Sequence, residues 1–75
     1  MIEISIEYCE KWNYEPEFDR VSKIISSFNK NVNIIGNFTP PRTGSFEISI
    51  DDKLVFSKLS SGKFPSSSEI YSWFN

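Results

Sequence analysis

From residue 2 to residue 8 apolar and polar side chains alternate strictly: Ile2, Ile4, Ile6 and Tyr8 against Glu3, Ser5 and Glu7. A period of two is the pattern of a half-buried strand, so this segment is predicted to be a strand with one wet face. At Pro16 the period changes. Phe18, Val21, Ile25 and Phe28 fall at i, i+3, i+7 and i+10 with Ile24 beside them, which predicts an amphipathic helix of about four turns. Proline suits the first turn, where its missing N–H would be unpaired in any case, and Asn29-Lys30-Asn31 ends the helix. Val32, Ile34 and Ile35 make a short second strand closed by Gly36-Asn37. A strand–helix–strand unit of this length predicts a right-handed parallel crossover.

Beyond the loop NFTPPRTG, Phe46, Ile48 and Ile50 alternate with Glu47, Ser49 and Asp51. The corner Asp51-Asp52 and the run Leu54-Val55-Phe56 complete a predicted hairpin, since aspartate tolerates the positive φ such corners require. Ser66 with Glu69 three residues later is a capping-box pattern ahead of Ile70, Trp73 and Phe74, predicting a short closing helix. The order β-α-β-β-β-α, without repeat or linker, predicts one α+β domain over residues 1–75: a two-layer sandwich with both helices on one face of a four-stranded mixed sheet. The alternates Glu3, Glu7, Glu47 and Ser49 give the other face to water or, as the second reading, to a docking partner.

Composition narrows the chemistry. The 75 residues include twelve aromatics, enough for a few large side chains to supply most of the burial so short a chain needs. The net charge of −2, with acids and bases interspersed, lacks the Lys/Arg cluster that would neutralise a run of phosphates, so nucleic acid is not an expected partner. The sequence holds no histidine and one cysteine, which excludes Ser-His-Asp and Cys-His catalysis, a zinc site and an internal disulfide. A lone thiol fits a reducing compartment, and the expected location is cytoplasmic. No leader, membrane span, prenylation box or metal site is expected.

That lone thiol sits in the stretch YCEKWNYEP, where the first strand gives way to the helix and redox chemistry often resides. Asp51 and Asp52 read as turn residues rather than an acid/base pair, with no other part of a site around them. The serines at 60–61 and 66–68 read as loop and helix cap.

Three segments, EYCEKWNYEPEF, TPPRTGSFEISIDDKLVFSKL and GKFP, occur in one register. In order and spacing they resemble the selenoprotein W family, also called the Rdx family. The resemblance implies a thioredoxin-like fold in which a C-x-x-C or C-x-x-selenocysteine loop after the first strand carries out thiol redox chemistry. Cys9 falls on the first redox position, with Glu10 and Lys11 in the loop, and Trp12 falls on the second, where the family pattern fails. Without a second sulfur an adduct on Cys9 must be resolved by an outside thiol such as glutathione. The expected activity is therefore at most monothiol, with glutathione as possible co-substrate and no cofactor. The alternative is a non-catalytic interaction module on the same scaffold.

Each site residue carries a bland reading beside the functional one. Cys9 is a reactive thiol or a small buried hydrophobe. Trp12 is a lid or core residue, a docking platform, or a tolerated replacement in a loop that has lost its function. Arg42 holds a glutathione carboxylate or is a solvated loop arginine. Thr43 and Gly44 let a substrate backbone approach or end a turn. With Cys9, Trp12 and Thr43, Phe64 completes the expected partner-facing surface at the loop.

Overall fold

The computed structural model describes residues 1–74. Strand β1 (Ile2–Tyr8) leads through a loop to helix α1 (Glu15–Phe28) and strand β2 (Val32–Gly36); strands β3 (Phe46–Ile50) and β4 (Lys53–Ser57) follow, then helices α2 (Lys58–Ser61) and α3 (Ser67–Ser72). The sheet order is β2-β1-β3-β4, with β1 parallel to β2 and antiparallel to β3. The expected parallel crossover, hairpin and closing helix are all present.

The alternation in β1 decides which face is covered. Ile4 and Ile6 join Phe46, Ile48 and Phe56 from β3 and β4, Val21 and Ile25 from α1, and Ile70 from α3 in one buried cluster. Both longer helices therefore lie on the same face of the sheet. Arg20 of α1 donates to the Pro65 carbonyl at 2.7 Å, tying α1 to the segment that enters α3, and Ser66 caps α3 by accepting the Glu69 N–H. Tyr8 stacks on Phe18 with centroids 4.7 Å apart. Their meeting place is Gly36, where an added Cβ would lie 2.9 Å from the Phe18 ring.

The hairpin corner is as expected, with Asp51 and Asp52 both at positive φ (48° and 68°). Two features depart from the sequence reading. Helix α2 adds a four-residue turn capped by the Ser57 side chain and closed by Gly62 in the left-handed region. The β3–β4 ladder also slips, pairing Ile48 with Phe56 but Ser49 with Leu54, so Val55 is an extra residue. Such a bulge bends the strand and re-aims its side chains; Leu54 consequently lies on the uncovered face, 61% exposed.

Candidate functional site

The loop between β1 and α1 folds back on itself. Asn13 donates to the Glu10 carbonyl at 3.0 Å, and Tyr14, the residue that caps α1, donates to the Cys9 carbonyl at 3.0 Å. Asn13 accommodates the turn at φ 57°, a conformation asparagine adopts more readily than most residues. Cys9 extends the sheet by one step, its N–H donating to the Ser45 carbonyl at 2.9 Å. Its sulfur accepts the Trp12 backbone N–H at 3.3 Å. Residues 9 and 12 thus share the turn leaving β1, with the Trp12 backbone N–H at the sulfur.

Cys9 is 1% exposed although Glu10, Lys11 and Trp12 beside it are all exposed. The indole of Trp12, 55% exposed, lies against Gly44, where an added Cβ would sit 2.9 Å from the ring. Gly44 is constrained twice. It is also the third residue of a turn from Arg42 to Ser45, closed by a 3.1 Å bond from the Ser45 N–H to the Arg42 carbonyl, with φ 78°. A type II turn requires positive φ at that position, which only glycine adopts without strain. The indole spans from the cysteine loop to the Gly44 turn. Thr43, at the second position of that turn, is exposed.

Phe64 reaches the loop indirectly. Its ring meets Tyr14 at 4.9 Å and Phe46 at 5.2 Å, and Tyr14 in turn meets Trp12 at 6.1 Å, each edge-on. The Lys58 ammonium stands 5.3 Å from the Tyr14 centroid and 5.4 Å from that of Phe64, within cation–π range. Cys9, Trp12, Thr43, Gly44 and Phe64 therefore gather at one end of the sheet.

Arg42 does not join them. Its guanidinium forks onto Glu7, with Nε and Nη2 each donating at 3.1 Å and its backbone N–H adding a 2.7 Å bond. The fork that the glutathione reading required is taken up by a carboxylate of the chain itself. Hydrogen bonding from Arg42 holds the Glu7 carboxyl below its ordinary value of 4.5, against the opposing effect of burial.

Glu47 departs furthest from expectation. Instead of facing water it is 7% exposed. It accepts the Ser57 hydroxyl at 2.5 Å, the Leu59 N–H at 3.2 Å and the Phe46 N–H at 3.3 Å, and Arg42 Nη2 stands 3.8 Å away. The cause lies in α2, which turns back over the end of β4 and points an N–H at the carboxylate. Glu7 and Glu47 are direct partners in the β1–β3 ladder; like charges so placed repel, and Arg42 offsets the repulsion.

Asn37 was not singled out in the sequence beyond closing β2. At φ 46° its side chain acts as a surrogate strand for Tyr8, accepting that residue's N–H at 2.8 Å and donating to its carbonyl at 3.0 Å. It also donates to Glu10 at 3.0 Å, fixing the start of the cysteine loop. A Gly-Asn pair directly after a strand is the only signal that pointed there. Among the described residues there is no group of three or more His, Cys, Asp or Glu placed to hold a metal ion, and no helix long and apolar enough to cross a membrane.

Comparison with known proteins identifies the family and the fold. The model of the Rdx family matches residues 3–73. The chain is 34% identical over 64 residues to migration and invasion enhancer 1 of Bos taurus, a match covering 85% of this chain and 54% of that protein. It is 30% identical over 64 residues to selenoprotein W of Danio rerio, covering 84% of this chain and 74% of the relative. The chain thus spans about half the length of the first relative. A crystal structure of a selenoprotein W-related protein from Vibrio cholerae superposes with a TM-score of 0.73 at 20% identity, covering 99% of this chain and 98% of the other. A Bordetella parapertussis protein superposes at 0.79 and 19% identity, covering 95% and 90%. The fold is that of the thioredoxin-like, selenoprotein W-related structures.

Proposed function

The chain belongs to the Rdx family, and from that membership and its single sulfur we propose a thiol-redox-linked protein that works by monothiol chemistry at Cys9. The observation that carries the reading is the Trp12 N–H on Cys9 Sγ at 3.3 Å: the redox-loop turn is retained while its second sulfur is replaced by an indole. In the proposed step the Cys9 thiolate attacks one sulfur of oxidised glutathione. A Cys9–glutathione disulfide forms, and one glutathione thiolate leaves. The same exchange run in reverse, a glutathione thiolate attacking the adduct at the glutathione sulfur, restores Cys9 and releases oxidised glutathione, so the adduct level follows the ratio of oxidised to reduced glutathione. Cys9 is 1% exposed, so the first attack requires the loop around it to open. The proposed place of action is the cytoplasm, where such thiols are kept reduced.

A second reading rests on the 1% exposure of Cys9: the thiol is a packing residue, and the loop end, with Trp12 half exposed, docks a partner protein. Intact mass after incubation with oxidised glutathione separates the two. One glutathione added to the wild type and none to Cys9→Ser supports thiol chemistry. A wild type that stays unmodified while folded supports docking.

A further inference from the structure

The uncovered face of the sheet contains a trough that the chemistry at Cys9 does not use. One cross-strand row reads Ile35–Ser5–Ser49–Leu54, because Ser5 pairs with Ile35 and with Ser49, and Ser49 pairs with Leu54. The two central positions are small and the outer two are large. At the Leu54 end of this row a groove of about 250 Å³ lies over Ser5 and Ser49, bordered by Phe38, Thr39, Arg42 and Leu54. Phe38 is 80% exposed and Leu54 61%. Two large apolar side chains held out over a polar floor are an arrangement found at binding surfaces.

Charge selects the occupant. Glu3, Glu7 and Glu47 belong to this face by strand alternation. Glu10 is brought to its rim by the bond from Asn37, which also lines the groove. Arg42 is the cation among the lining residues, and its guanidinium is already forked onto Glu7. Of these carboxylates, Glu7 and Glu47 line the groove; with Glu3 on the same face and Arg42 as the cation set against them, the uncovered face keeps a net negative charge that favours positive charge and repels acidic segments. We propose that this trough docks a segment of a partner protein that presents one large apolar side chain next to a lysine or arginine. The apolar chain lies over the two serines between Phe38 and Leu54, and the cation faces Glu3, which is exposed on the same face. This goes beyond the reading of Cys9 and does not depend on it.

The test uses the full chain as bait for a random dodecapeptide phage library, followed by anisotropy titration of the enriched synthetic peptides. The expected outcome is enrichment of sequences with Lys or Arg beside Leu, Ile, Met or Phe. Their affinity should fall about tenfold or more in Phe38→Ser/Leu54→Ser, fall with added salt, and stay within about twofold in Tyr71→Ser, which alters an exposed residue of the helical layer. Both test positions are well exposed, so the double variant should keep the wild-type circular dichroism. No enriched class, enrichment of acidic peptides, or unchanged binding to the double variant would each overturn the proposal.

Discussion

The two faces of the sheet are built from the same strands and are held in different ways. On the covered face Ile4, Ile6, Phe46 and Ile48 are each 1% exposed or less and pack against α1 and α3, so stability there comes from apolar area removed from water. On the other face Glu7, Arg42, Glu47 and Ser57 form a polar network, and its value lies mainly in giving the buried Glu47 carboxylate its partners. The candidate chemistry occupies neither face. Cys9 lies just past the end of β1, in the loop whose Trp12 indole meets the Gly44 turn.

The contrast can be broken in order of expected effect. Phe46→Ala removes a fully buried ring on the covered face and should cost about 3–5 kcal/mol in urea unfolding. Glu47→Ala strands the Ser57 hydroxyl and the Leu59 N–H on the other face, and should cost about 2 kcal/mol by the same measurement. If the two losses proved equal, the distinction between the faces would fail. Gly44→Ala works at the loop end: strain at φ 78° together with the 2.9 Å approach to Trp12 should cost about 1–2 kcal/mol. Because it also lifts the indole, it should raise the iodoacetamide rate of Cys9 by roughly tenfold under native conditions.

The smallest effect is a slope with pH. Hydrogen bonding from Arg42 holds the Glu7 carboxyl below 4.5 when folded. A depressed folded value contributes stability that is present above the unfolded value and lost as pH falls through the folded one. Arg42→Gln should therefore flatten the loss of stability between neutral pH and about pH 3, measured by urea midpoints. An unchanged slope would show that Glu7 owes nothing to Arg42.

Periodic features were legible in the sequence because they depend on nearest neighbours along the chain. The alternation of residues 2–8, the helix entered at Pro16 and the Asp51-Asp52 corner all belong to this kind. Helix α2 was not legible: four residues carry no period, and its signals are a serine cap and a glycine. The burial of Glu47 follows from it, and the slip at Val55 belongs to pairing across strands, which no single segment encodes. At the candidate site, the sequence located Cys9 and Trp12 in one loop, but the closeness of Trp12 to Gly44, thirty-two positions on, is a tertiary fact. The family resemblance implied a place for Arg42 facing the cysteine loop; Glu7, unremarkable in an alternating strand, draws its guanidinium to the other face.

The most direct measurement concerns release rather than capture. Cys9 is loaded with glutathione, free glutathione is removed, and intact mass is followed over time in the wild type and in Trp12→Cys. The account predicts that the wild type keeps its adduct until reduced glutathione is supplied, whereas Trp12→Cys expels it unaided as a 9–12 disulfide closes. Spontaneous loss from the wild type, or retention by Trp12→Cys, would contradict it.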